Sequence, residues 1–214
     1  MKHADDKKAA GHINPVTRIA LNSPQMQTLD HSLFSFPRFA ELFGAPYRDP
    51  RVQDVFVRAG LRPDRVLSEL RTGIYSMPPH DKAPCPVTEI DLSPSYRLRI
   101  RFKEARLVIR PNQLPPVPPN TPVFSGLMYL LEAGDEVEPF FGELPFGIKP
   151  SDDLNAVIAR VGGPPTKQVF NPGEDSGYAI WEDRSPILHV LFSLASPQVP
   201  LRVNVFLPPV AKAI

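Results

Sequence analysis

The fold is decided by residues 177–206, which read GYAIWEDRSPILHVLFSLASPQVPLRVNVF. This stretch contains three apolar runs, Gly177–Trp181, Ile187–Phe192 and Leu201–Phe206. Such runs are typical of β-strands when turn residues bound them, as Glu182–Pro186 and Ser193–Pro200 do here. Strands joined by short loops pair antiparallel. The sequence therefore predicts a three-stranded antiparallel meander.

Two amphipathic helices are predicted upstream, each with a capping residue and a glycine stop. Asp49 caps the first helix, Pro50 occupies its first helical position, and Gly60 ends it. The second helix begins at Ser151-Asp152-Asp153, where the Ser151 hydroxyl is the predicted cap and the acids suit the helix dipole, and it ends at Gly162-Gly163. Residues 49–60 and 151–162 match at several positions, and this similarity suggests an internal repeat.

In the first copy of the repeat, β-strands are also expected after the helix. Apolar residues alternate with arginines over Tyr96–Phe102, as in a half-buried strand. We interpret Lys103-Glu104 as a turn into a partner strand at Ala105–Arg110. Val123–Leu131 fits either a strand or a short helix, and the sequence leaves that choice open.

The predicted fold class is α+β, with two similar units that each pack short helices on an antiparallel β-meander. Proline accounts for 28 of the 214 residues, a density that excludes long-helix bundles and a parallel α/β sheet. The densest proline segment is interpreted as an extended Pro-rich linker. The predicted organisation is a loose tail at 1–30, a first unit at 31–110, the linker at 111–122 and a second unit at 123–214.

The formal net charge is only +1, but the two halves of the chain differ in sign. Residues 1–110 carry 18 basic and 12 acidic side chains, and residues 111–214 carry 6 basic and 11 acidic ones. The acidic half suits a basic partner. The pI of 7.9 lies below the range typical of nucleic-acid-binding domains, so no nucleic-acid partner is expected.

The expected compartment is the cytoplasm. The single cysteine, Cys85, cannot form an internal disulfide, and Met1–Pro15 has no apolar leader region. The long uncharged stretches Pro111–Leu131 and Ser185–Leu201 contain too many prolines for a membrane-spanning helix. We therefore expect no membrane partner.

No pattern in the sequence indicates catalysis, a metal site or a cofactor, and the protein is not expected to be an enzyme. The GxGxxG, P-loop, HExxH and GxSxG motifs are absent. His80 and Cys85 are interpreted as loop residues rather than a nucleophile pair, and His189 has no ligand spacing. A basic stripe is interpreted as the charged solvent face of a hairpin: Arg97, Arg99, Arg101, Arg106 and Arg110.

Two clusters combine acidic and aromatic residues, a combination that occurs at protein interfaces. The predicted partner-binding residues are Glu132, Asp135, Glu136, Glu138, Phe140, Phe141 and Glu143 in the first cluster, and Tyr178, Trp181, Glu182 and Asp183 in the second. The alternative for both clusters is a solvated loop.

Residues 141–148, FGELPFGI, followed by the helix at 151–163 and the C-terminal strands, resemble bacterial immunity proteins encoded beside polymorphic toxins, including type VI secretion effectors. Leu42–Pro46 with residues 49–60 is similar to the opening of these families. The resemblance implies a stoichiometric inhibitor that binds a cognate toxin. The acidic half of the chain suits a basic toxin such as a nuclease, whose surface must attract phosphate. The alternatives are a non-catalytic adaptor and an enzyme with an unrecognised site between the two halves.

Overall fold

The computed structural model describes residues 31–62, 88–92, 96–132, 139–171, 173–195 and 198–210. Within these ranges the chain forms a seven-stranded antiparallel sheet and short α-helices, which confirms the α+β class. None of the described helices has both the length and the apolar character needed to cross a membrane.

The sheet has the strand order β1-β2-β3-β7-β6-β5-β4, with every neighbouring pair antiparallel. Its strands are β1 (Thr88–Asp91), β2 (Leu98–Glu104), β3 (Pro122–Leu130), β4 (Lys167–Val169), β5 (Ser176–Trp181), β6 (Ile187–Ser193) and β7 (Pro200–Phe206). The predicted C-terminal meander is confirmed as β5-β6-β7. Because β7 lies between β3 and β6, strands from both predicted units belong to one hydrogen-bonded sheet.

The two predicted units meet at the ladder between β2 and β3. This ladder extends from the pair Leu98–Tyr129 to the pair Glu104–Pro122. The Pro-rich residues 111–122 connect two strands that are neighbours in the sheet. The predicted two-unit repeat and Pro-rich linker are therefore not confirmed.

The predicted turn at Lys103-Glu104 is wrong. Both residues belong to β2, and a 3-10 turn follows at Ala105–Leu107. Of the partner strand predicted at Ala105–Arg110, Val108 forms an isolated bridge, and its partner is Pro209. The strands that pair with β2 are β1 and β3, because alternation of apolar residues identifies a strand but not its partner.

Val123–Leu131, for which the sequence did not distinguish a strand from a helix, forms most of strand β3. It lies in the interior of the sheet and is buried continuously from Val123 to Tyr129. Side chains on both of its faces are buried, so apart from Ser125 and Gly126 its sequence is apolar and shows no alternation. This explains why its pattern alone could not distinguish a strand from a helix.

The α-helices within the described ranges are α1 (Phe36–Ala40), α2 (Pro50–Arg58) and α3 (Leu154–Val161). The Asp49 carboxylate caps α2 by accepting from the Arg51 amide at 2.9 Å. The Asp153 carboxylate caps α3 in the same way, from the Ala156 amide at 2.8 Å. Gly60 and Gly162 follow the two helices with φ of 74° and 82°, a conformation that favours glycine. The predicted Asp49 cap and both glycine stops are confirmed, whereas the cap predicted at the Ser151 hydroxyl is wrong because α3 begins two residues later, at the Asp153 carboxylate.

The three described α-helices pack on one face of the sheet, here called the helix-covered face. Phe39 of α1 stacks on Phe124 of β3, with ring centroids 5.6 Å apart. Phe56 of α2 contacts Phe102 of β2 at 6.1 Å. The Gly163 carbonyl, just after the end of α3, accepts from the indole N–H of Trp181 in β5 at 2.8 Å. The opposite side of the sheet, here called the open face, carries no helix from the described parts of the chain.

Candidate functional site

The loop formed by residues 139–148 returns to the end of β3. The Phe140 amide donates to the Leu130 carbonyl at 3.3 Å. The Phe140 ring is fully buried against Tyr129, with centroids 4.7 Å apart. Phe140 therefore anchors this loop to the core and is not available as a surface contact.

The same loop is then fixed to the helix layer. The Glu143 carbonyl accepts from the Phe36 amide of α1 at 2.8 Å. Pro145–Gly147 form a 3-10 turn, in which the Ile148 amide donates to the Pro145 carbonyl at 3.1 Å. Phe146 has a φ of 58°, a left-handed conformation uncommon for a residue with a side chain.

This anchoring presents two aromatic side chains to solvent. Phe141 is 65% exposed and Phe146 is 37% exposed, and Glu143 is exposed between them in the sequence. Glu132 is also exposed, and it lies two residues after Leu130, whose carbonyl accepts the Phe140 amide hydrogen bond at the end of β3. We call Glu132, Phe141, Glu143 and Phe146 the Phe141 surface. Sequence analysis did not single out Phe146, although its place in a Pro-Phe-Gly turn was a usable signal.

The structure brings together only part of the first predicted cluster. Asp135, Glu136 and Glu138 lie outside the described residues. Glu132, Phe141 and Glu143 are exposed on the Phe141 surface as expected of contact residues. Phe140 is a core residue, because consecutive residues of the extended loop face opposite directions.

The second predicted cluster is dispersed over three environments. Trp181 is fully buried on the helix-covered face, so it cannot contact a partner in this conformation. Tyr178 is half-buried on the open face. Glu182 and Asp183 are exposed in the turn after β5, and since β5 runs antiparallel to β3, that turn is at the opposite end of the sheet from Glu132.

Polar side chains from three of the last four strands meet on the open face. His189 of β6 lies directly opposite Asn204 of β7, and its Nδ1 is 3.5 Å from Asn204 Nδ2. The His189 ring packs edge-on against Tyr178 of β5, with centroids 5.3 Å apart. Burial, together with the guanidinium groups of Arg202 and Arg101, lowers the pKa of His189.

Two cationic groups flank this arrangement. Lys167 of β4 places its Nζ 5.8 Å from the centroid of the Tyr178 ring. Arg202 of β7 pairs with Leu191 of β6, which makes it a diagonal neighbour of His189. We call Lys167, Tyr178, His189, Arg202 and Asn204 the His189 patch. Sequence analysis discussed only Tyr178 and His189 of this set.

The arginine stripe predicted from the sequence is largely neutralised within the chain. Glu89 of β1 accepts from Arg101 at 2.5 Å and lies 3.9 Å from Arg99. Among the others, Arg106 pairs with Glu104, Arg97 donates to the Glu132 carbonyl, and Arg110 donates to the Gly44 and Pro115 carbonyls. These contacts support the interpretation of the stripe as structural.

A groove of about 670 Å³ separates α1 from α2. Phe34, Leu42 and Val55 contribute apolar lining, and Arg38 and Asp54 are among the charged residues at its margin. In the described parts of the chain, no three His, Cys, Asp or Glu side chains are placed to hold a metal ion. His80 and Cys85 lie outside those parts.

Comparisons of the chain with protein-family models, with curated proteins and with solved structures give no match.

Proposed function

We propose that this protein is a non-catalytic inhibitor of the immunity-protein kind, which binds and neutralises a cognate bacterial toxin through the Phe141 surface. The observation that carries the proposal is the exposure of Phe141 and Phe146 on a loop whose backbone is tied to both the sheet and α1. A rigid loop loses little entropy on binding, and exposed aromatic side chains supply most of the binding energy at many interfaces.

The charge around this surface supports a basic partner. Glu132 and Glu143 are exposed beside the aromatics, and residues 111–214 carry 11 acidic side chains against 6 basic ones. Surfaces of opposite charge accelerate association and select partners. A nuclease fits this description because its surface must attract phosphate. The inhibitor would act in the cytoplasm, where such a toxin meets its nucleic-acid substrate.

The proposal is tested by affinity purification of the full chain from its native cells, followed by expression of each captured protein alone and together with this chain. The expected result is one stoichiometric partner that stops growth alone and is harmless on co-expression. Capture without toxicity, or toxicity that co-expression leaves unchanged, would contradict the proposal.

The surface is tested with the purified partner. Phe141→Ala should weaken binding about thirtyfold, the change that corresponds to losing a hot spot of about 2 kcal/mol. Ile109→Ala is the matched control, since Ile109 is 55% exposed but lies outside the Phe141 surface. Glu143→Lys should slow association at low salt and have less effect at high salt. Equal affinities for the two alanine variants would show that the partner binds elsewhere.

A further inference from the structure

The His189 patch lies on a sheet face where the described chain places no helix. Antiparallel sheets often leave one face to solvent, and strands on that face then carry mainly polar residues. Here the polar groups alternate with half-buried apolar ones, Leu130, Ile180 and Leu191. The patch is therefore a mixed polar and apolar surface, the composition of a binding surface rather than of a solvated sheet face.

Several polar atoms of the patch are buried without a hydrogen-bond partner in the described structure. They are His189 Nε2, Arg202 Nε and Asn204 Oδ1. Asn204 is only 5% exposed, so water has little access to it. With Asn204 Nδ2 as the donor to His189 Nδ1, the neutral imidazole carries its proton on Nε2. Two of the three unpartnered atoms are thus N–H donors, which require an acceptor.

The charge of the patch indicates which kind of hydrogen-bond acceptor would bind there. The structure describes every residue of strands β3 to β7. None of the side chains that these strands place on the open face is a carboxylate. Among the described residues, neither Lys167 nor Arg202 forms a salt bridge with a carboxylate. At the other edge of the same face, Glu89 fills this role for Arg99 and Arg101. The comparison identifies a carboxylate as the missing group.

We propose that the His189 patch binds a segment of a partner protein that carries both carboxylates and apolar side chains. A carboxylate would accept from Arg202 and His189 Nε2, since an ionised acceptor forms the stronger hydrogen bonds. The apolar side chains of the segment would cover Ile180 and Leu191. The His189 patch shares no residue with the Phe141 surface, and it carries cationic side chains where that surface carries carboxylates.

The test measures binding of a fluorescently labelled peptide of alternating glutamate and leucine to the full chain at low salt. A peptide of alternating glutamine and leucine is the matched control. The expected result is tighter binding of the glutamate peptide and a loss of about tenfold in Arg202→Gln. Arg38→Gln should leave binding unchanged, because Arg38 is exposed on α1 on the other side of the sheet. His189→Gln should weaken binding without changing the fold, as judged by circular dichroism.

Four results would overturn the proposal. They are equal affinity for the two peptides, equal affinity of Arg202→Gln and Arg38→Gln, displacement of the peptide by inorganic phosphate at comparable concentration, and tighter binding of a single-stranded oligonucleotide. Sedimentation of the chain alone provides a further check. Self-association that Arg202→Gln abolishes would assign the patch to a second copy of this chain instead. None of these results depends on the identity of the proposed toxin.

Discussion

The two faces of the sheet are built from the same strands but differ in what packs against them. On the helix-covered face, aromatic rings pack against one another and the Trp181 indole N–H has a hydrogen bond, whereas the buried Tyr129 hydroxyl has none in the described structure. On the open face, His189 and Asn204 also keep polar atoms without a partner. The described helices pack on the first face only, so packing stabilises that face, and the open face is the one on which we propose binding.

The largest expected effect comes from truncating one aromatic on each face of β5. Trp181→Ala should lower the free energy of unfolding by about 3–5 kcal/mol, because it leaves a cavity in the core. Tyr178→Ala, three residues earlier on the open face, should cost no more than about 1.5 kcal/mol, because Tyr178 is only half-buried. Urea unfolding of both variants measures the difference. Similar losses would mean that the open face is as tightly packed as the core.

A smaller effect is expected for the carboxylate on the helix side of the sheet. Asp152 accepts from the Lys149 amide at 2.7 Å and from Arg160 at 2.6 Å, and its side chain is 8% exposed. Asp152→Asn should lower the free energy of unfolding by about 2 kcal/mol, since buried hydrogen bonds to a charged group are lost. Urea unfolding measures the change, and Asp153→Asn provides a control with an exposed carboxylate nearby.

The carboxylate on the open face should matter less for stability. Glu89 contacts Arg99 and Arg101, but both arginine side chains are 27% exposed, and solvent screens the pairs. Glu89→Gln should cost about 0.5 kcal/mol in urea unfolding, with the loss reduced in high salt. It should also make this edge of the sheet bind the glutamate peptide, because Arg101 loses the carboxylate to which it donates at 2.5 Å. Peptide binding that is no stronger than in the unmodified protein would contradict this.

The smallest expected effect is a pH dependence that originates at His189. Burial and the charges of Arg202 and Arg101 lower its pKa in the folded state below the ordinary value of 6.5. The unfolded chain therefore binds more protons, and the free energy of unfolding falls as the pH decreases below 6.5. Lys167 adds a further positive charge near Tyr178, and no carboxylate of the described strands β3 to β7 opposes it on this face.

The measurement compares urea midpoints at neutral and mildly acidic pH in the unmodified chain and in His189→Gln. The variant should lose less stability on acidification, since its amide does not titrate. An identical pH dependence in the two proteins would show that other groups control it.

Local features of the fold were predictable from the sequence. Asp49 caps its helix through a hydrogen bond to the residue two positions away, and the glycines that end the helices act through their own backbone. For the second helix the start was predicted to within two residues, with Asp153 as the cap in place of Ser151. Such features depend on neighbouring residues only. The strands of the C-terminal meander were predictable for the same reason, because the turns between them are short.

Features that depend on distant pairing were not predictable. The prediction of a turn at Lys103-Glu104 was wrong because β2 pairs with β3, which begins only at Pro122. Phe140 and Trp181 were interpreted as contact residues because acids lie beside them in the sequence, but their burial depends on Tyr129 and Gly163. The His189 patch likewise exists only through the register of β4 to β7, so its residues are not close in the sequence.

The position of β7 between β3 and β6 has a consequence for the newly made chain. Synthesis delivers the strands in order, so β1 to β6 emerge before the strand that joins the two sides of the sheet. Until β7 arrives, β3 and β6 each expose an unpaired edge, and such edges promote aggregation. A chain whose synthesis stops before residue 200 would therefore contain two unjoined half-sheets, and chaperones would have to bind their exposed edges to prevent aggregation.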